Sequence, residues 1–92
     1  DSHATLLAAV PTHTQTELWT WSLAVGEVYC AEADSKGWQE LIYVLEGELS
    51  LEFENETRVI YAGQSILFES DVSYRYINRG TCILKFIRNV LY

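Results

Sequence analysis

Apolar and polar residues alternate with a period of two along most of this chain, the mark of strands that bury one face. Leu18-Trp19-Thr20-Trp21-Ser22-Leu23 is one such run, ended by Gly26, and Val28 to Ala33 is a second. Leu41 to Leu45 is almost wholly apolar, as in a strand buried on both faces. Leu49, Leu51 and Phe53 alternate with Ser50, Glu52 and Glu54, so one face is buried and the other wet. Arg58 to Tyr61, Ser65 to Glu69, Ser73 to Ile77 and Cys82 to Val90 complete the set. Turn signals separate the runs at Glu46-Gly47-Glu48, Glu54-Asn55-Glu56, Ala62-Gly63-Gln64 and Asn78-Arg79-Gly80. No long stretch carries a helical stripe. Short strands at regular spacing predict an all-β domain, an antiparallel sandwich or barrel.

The length of 92 residues fits one small domain. Residues 1–16, with Pro11 and the polar run THTQTE, form a leading segment that reads as an edge strand or a tag remnant, and residues 17–92 form the barrel. A chain this short buries only roughly 60–65% of its unfolded surface, so a partner subunit would help it. Hydrophobic residues make up 49% of the sequence, ample for a core.

No apolar run approaches the ~20 residues of a membrane span and no signal-peptide pattern opens the chain, which points to the cytoplasm. Thirteen acidic residues against six basic give a net charge of −7. This segment is therefore not expected to bind nucleic acid, whose phosphates need clustered Lys and Arg. Two cysteines, Cys30 and Cys82, are too few for a disulfide framework and lack metal-finger spacing. Both lie in apolar patterns and are expected to act as small core residues in a reducing compartment.

A Ser–His–Asp device is excluded, because both histidines, His3 and His13, lie in the leading segment away from the strand-borne serines. No phosphate-cradling glycine loop is present.

Between Leu18 and Val90 the chain resembles the cupin superfamily, small jelly-roll barrels defined by two motifs. In the first, two histidines separated by one residue precede a Glu, and a Gly closes the following turn. Those positions fall here on Asp34, Lys36, Glu40 and Gly47. The second runs from a Gly through a Pro and a Gly to a His and an Asn, here Gly63, Glu69, Asp71, Tyr74 and Asn78. The frame of Glu40, Gly47, Gly63 and Asn78 is kept, while all three histidines are replaced and Gly26 stands two residues further from the site than usual. The resemblance therefore implies a cupin-type barrel without the ligands that carry its metal chemistry.

A catalytic divalent site needs imidazoles or carboxylates at about 2.0–2.2 Å and one open position. Lys36 would put an ammonium where the cation belongs. Asp34, Glu40 and Tyr74 are left as a weak oxygen site if Lys36 swings out to solvent. No metal or other cofactor is expected.

Period-two parity puts Glu40, Ile42 and Val44 on one face, and Tyr74 with Tyr76 on one face of their own strand. Glu32 and Cys30 share parity with Asp34 and are assigned to the same cavity. Trp38, beside Gly37, is a candidate lid. Apolar walls, tyrosine hydroxyls and carboxylates suit a small organic ligand bearing an amine or a hydroxyl. Glu40 in such a pocket is either paired by Lys36 or held for a ligand. Leu41, Tyr43 and Leu45, of opposite parity, are expected under a second sheet or a partner subunit.

Within the cupins the chain is similar to the C-terminal sensory domains of bacterial Xre-type helix-turn-helix regulators. The residues that carry this are VLEGELSL, Gly63-Gln64-Ser65 and Tyr74-Arg75-Tyr76-Ile77-Asn78. That resemblance implies a non-enzymatic homodimer that binds a small-molecule effector, with an upstream domain contacting DNA. The rivals are a stand-alone cupin isomerase or dioxygenase with an atypical metal site, and a barrel used only for pairing.

Overall fold

The computed structural model describes residues 2–10 and 16–92. Asp1, Pro11 and His13 lie outside the described residues. Among the described residues nine strands follow in order: β1 (His3–Val10), β2 (Thr16–Leu23), β3 (Val28–Ala31), β4 (Gln39–Glu46), β5 (Glu48–Phe53), β6 (Thr57–Tyr61), β7 (Ser65–Glu69), β8 (Tyr74–Ile77) and β9 (Leu84–Leu91). They form a five-stranded sheet, β1-β2-β9-β4-β7, and a four-stranded sheet, β3-β8-β5-β6, all pairs antiparallel. This is an all-β jelly roll, and no helix among the described residues is long and apolar enough to cross a membrane.

The core lies between the two sheets. Leu23, Ile42, Val44, Leu49, Leu51, Ile60, Tyr74, Tyr76, Leu84 and Phe86 form one buried cluster. Strands β4, β8 and β9 supply alternate residues to it, which is why the period of two was visible in the sequence. Aromatic rings run through this core in series. Phe68 meets Tyr74 edge-on at 5.1 Å, Tyr76 meets Phe86 edge-on at 5.2 Å, and Trp21 lies against Phe86 at 5.9 Å. Such pairs contribute ~0.5–1.5 kcal/mol each beyond the area they bury.

Strand β4 departs from expectation. Its run Leu41 to Leu45 is not buried on both faces. Ile42 and Val44 are fully buried, whereas Leu41, Tyr43 and Leu45 are 41%, 43% and 50% exposed. The reason is layering: β4 sits inside the five-stranded sheet, and among the described residues nothing covers its outward side chains.

Two frame residues hold the end of the barrel opposite the site. Gly47 turns β4 into β5 with φ at +82°, and a Cβ there would sit 2.8 Å from the carbonyl oxygen of Ile83. Only glycine fits both demands. Asn78 is fully buried, and its amide donates to the carbonyls of Leu23 and Cys82 at 2.9 Å each, while its Oδ1 accepts from the Gly80 amide at 3.0 Å. The asparagine of the second motif is thus a lock on the β8–β9 turn.

Candidate functional site

Strand β4 turns Glu40 inward beside Ile42 and Val44, and β8 turns Tyr74 and Tyr76 inward from the opposite sheet. The three side chains meet. Glu40 has no exposed surface, and its Oε2 accepts a hydrogen bond from the Tyr74 hydroxyl while its Oε1 accepts one from the Tyr76 hydroxyl at 2.5 Å. A bare carboxylate at this depth would be very costly.

The cation that pairs with it comes from an unexpected place. Arg88 on β9 donates from Nη2 to Glu40 Oε2 at 2.9 Å, with its side chain only 15% exposed. Arg88 stands in register with Ile42 on one side and Trp19 on the other, and its guanidinium lies 5.8 Å from the Trp21 ring. Of the two alternatives for Glu40, pairing by Lys36 or being held for a ligand, the first is corrected: its cation is Arg88. Lys36 is exposed, on the turn before Trp38, and it makes no ion pair among the described residues. A signal for Arg88 was present in the sequence: in Leu84-x-Phe86-x-Arg88-x-Val90 the arginine holds the parity of the apolar face.

The cluster shifts its own acid–base behaviour. Burial first, and then the Glu40 carboxylate, pushes the Tyr74 phenol well above its ordinary value. Burial does the same to Tyr76, again with Glu40 second. For Arg88 burial pulls downward, but the hydrogen bond to Glu40 and the charge of that carboxylate outweigh it and hold the guanidinium above its ordinary value. Both phenols thus keep their protons and donate, and Arg88 stays a cation.

The remaining candidates lie elsewhere. The Asp34 amide donates to the Ser70 carbonyl at 2.8 Å, and Asp34 Oδ2 is buried without a hydrogen-bond partner among the described residues, as are Ser70 Oγ, Trp21 Nε1 and Arg88 Nε. Cys30 does not face the core: it is exposed and in register with the exposed Arg75, while Tyr29 and Ala31 face inward opposite Tyr76 and Tyr74. Parity counted back from Asp34 failed because β3 ends at Ala31, and alternation holds only within a strand. Cys82 is exposed as well, in the turn before β9, so neither cysteine is a core residue. Trp38, the candidate lid, stacks on Tyr92 with ring centroids 3.8 Å apart.

Accessible space lies at the barrel mouth, beyond the cluster. A hollow of about 580 Å³ includes Cys30, Ala31, Glu32, Phe53, Ser73 and Tyr74 in its lining. A second, of about 540 Å³, shares Phe53, Glu54 and Ser73 with it and extends to Asp71. Tyr74 is the one member of the Glu40 cluster that borders this space. Arg75, on the rim, is neutralised by Glu52, which also pairs with Arg79 at 3.2 Å.

The donor set does not suit a divalent ion. Both Glu40 oxygens are taken, one of them by a guanidinium that repels a second cation, and Lys36 points away. No group of three or more His, Cys, Asp or Glu that could hold a metal occurs among the described residues.

The profile of the Cupin_2 family, a cupin domain, matches residues 19–88. The chain belongs to the cupins. Among solved structures, this cupin superposes on the Cupin_2 domain of an XRE family transcriptional regulator from Enterobacter cloacae with a TM-score of 0.89 at 23% identity, covering 99% of this chain and 96% of that one. An HTH_3 family transcriptional regulator from Vibrio cholerae gives a TM-score of 0.89 at 24% identity over 99% of this chain; the cupin spans 51% of that protein. A putative ethanolamine utilization protein from Salmonella typhimurium gives 0.74 at 21% identity, over 97% of this chain and 68% of that one. At these identities the likeness is one of fold. No curated protein matches the sequence.

Proposed function

We propose that this cupin is the effector-sensing and dimerisation domain of a bacterial transcriptional regulator, non-catalytic and cytoplasmic. The observation that carries the reading is the Glu40 cluster. The position where metal chemistry would run is closed by Arg88, Tyr74 and Tyr76, and the mouth hollow bordered by Tyr74 offers space for a guest. The two regulators of like fold support the same reading, and DNA would be contacted by a part of the protein outside this barrel.

The effector sits in the mouth against Phe53, Tyr74, Glu32 and Cys30. The Tyr74 hydroxyl is committed as a donor to Glu40, so a ligand that reaches it meets lone pairs alone and must bring an N–H or O–H. The carboxylates of Glu32, Glu54 and Asp71 around the hollows favour an amine over an acid. Pairing uses the outer face of the five-stranded sheet. Leu67 stands in register with Leu41, and Ile87 with Tyr43, so these side chains share one face with Leu45 and form an apolar stripe that a second copy would cover.

A thermal-shift panel of amines, amino acids and sugars tests the sensing role. A binder raises stability by RT ln(1 + [L]/Kd). The reading predicts a rise with an amine or polyol that Glu32→Gln reduces. A panel without any response would leave a barrel used only for pairing.

A further inference from the structure

We propose that Glu40, Tyr74 and Tyr76 form a guanidinium-binding site inside the barrel, and that Arg88 is its resident cation, supplied by the chain itself. This stands apart from the effector reading, since it concerns the closed interior and not the mouth.

The acceptor geometry comes first. Glu40 is buried completely, and each oxygen accepts from a phenol that reaches it from the opposite sheet. Burying a charge is costly unless it is paired and hydrogen-bonded. Arg88 fills that need from β9, contacting the same Oε2 that takes the Tyr74 hydroxyl.

The chemistry of the cation comes second. A guanidinium is planar, weakly hydrated and able to lie over an aromatic face, which makes it easier to bury than an ammonium. Arg88 uses these properties, with its plane carbon 5.8 Å from the Trp21 ring and one nitrogen on the carboxylate. A hydrated ammonium or a divalent ion lacks that match to the Trp21 face. The site is thereby specified for one chemical class.

The role also assigns a purpose to the cross-sheet arrangement. Glu40 and Arg88 belong to the five-stranded sheet and Tyr74 and Tyr76 to the four-stranded one. The cation neutralises the carboxylate that both tyrosines grip, so the polar brace between the sheets depends on it.

Chemical rescue tests this. Arg88→Ala removes the guanidinium and leaves room where it stood. Methylguanidinium at millimolar concentration, far below denaturing levels, is added to the wild type, to Arg88→Ala and to Glu40→Gln/Arg88→Ala, with methylammonium as the control. The expected result is a rise in melting temperature of about 5 °C or more for Arg88→Ala alone. Methylammonium should produce little of it, and the wild type and the double variant should not respond. If Arg88→Ala is unfolded by itself, methylguanidinium should restore its native near-ultraviolet circular dichroism. No recovery in Arg88→Ala, an equal response in the double variant, or an equal response to methylammonium would overturn the assignment.

Discussion

Trp38 lies almost flat on Tyr92, with an interplanar angle of 12°, and the Tyr92 hydroxyl donates in turn to Glu17. The loop before β4, the last residue of the chain and the start of β2 are tied together at the barrel mouth by this contact. This contact gives Trp38 a role in closing the rim. Trp38→Ala is accordingly expected to cost ~1 kcal/mol of stability in urea denaturation. It should leave any thermal shift caused by an amine unchanged, whereas a lid would lose the shift and keep the stability.

Gly47→Ala is expected to be among the most damaging single-methyl changes available to this barrel. The residue would have to hold φ near +82° and push its Cβ against the Ile83 backbone. A left-handed alanine alone costs about 1–2 kcal/mol, and the clash with backbone adds to it. Urea denaturation should show a loss of at least about 2 kcal/mol. Gly37→Ala, where φ is also positive but nothing lies within 4 Å, should cost less.

The exposed stripe on the five-stranded sheet gives a prediction of a different kind. Leu41→Lys/Leu67→Glu replaces side chains that are roughly half exposed in the monomer, so folding should change by only about 1 kcal/mol. Light scattering at micromolar concentration should report a dimer for the wild type and a monomer for the variant. A wild-type monomer would remove the pairing surface from the account.

High pH should weaken the barrel, and the sign follows from the tyrosines. Tyr74 and Tyr76 hold their protons more tightly when folded, mainly through burial, and Tyr92 is pushed up to about 12 by its hydrogen bond to Glu17. A group whose folded value is raised contributes stability that is fully present below its unfolded value, about 10 for tyrosine, and is lost as the pH climbs past it. Stability should therefore hold up to about pH 10 and then decline. Tyr76→Phe should lower stability at neutral pH and flatten that decline, as followed by denaturation at a series of pH values.

The inward parity of Glu40, Ile42 and Val44, and of Tyr74 and Tyr76, was legible because alternation inside one strand is geometrically obligatory. The cupin frame was legible because Gly47 and Asn78 answer to local backbone demands that few other residues meet. Two things were not readable. Partners across the barrel are set by tertiary register: Arg88 stands 48 residues from Glu40, and an inward-facing arginine does not announce which carboxylate it serves. Loop residues follow no period, so the surroundings of Lys36 and Trp38 were not readable, and Cys30, on β3, borders the mouth hollow and not the core. The apolar run of β4 was ambiguous for a third reason, since an outer face reserved for a partner and one buried in the chain are written alike.

Of all measurements, a double-mutant cycle on Glu40 and Arg88 tests the central claim most directly. Glu40→Gln, Arg88→Met and the pair together would be compared with the wild type by urea denaturation. Removing either partner of a buried ion pair strands the other, at about 3–5 kcal/mol, whereas removing both leaves no stranded charge. The account predicts that the double variant is more stable than the sum of the single losses by at least about 2 kcal/mol. Losses that add to within about 0.5 kcal/mol would mean that the two groups do not sense each other, and the cation inside this barrel would have to be sought elsewhere.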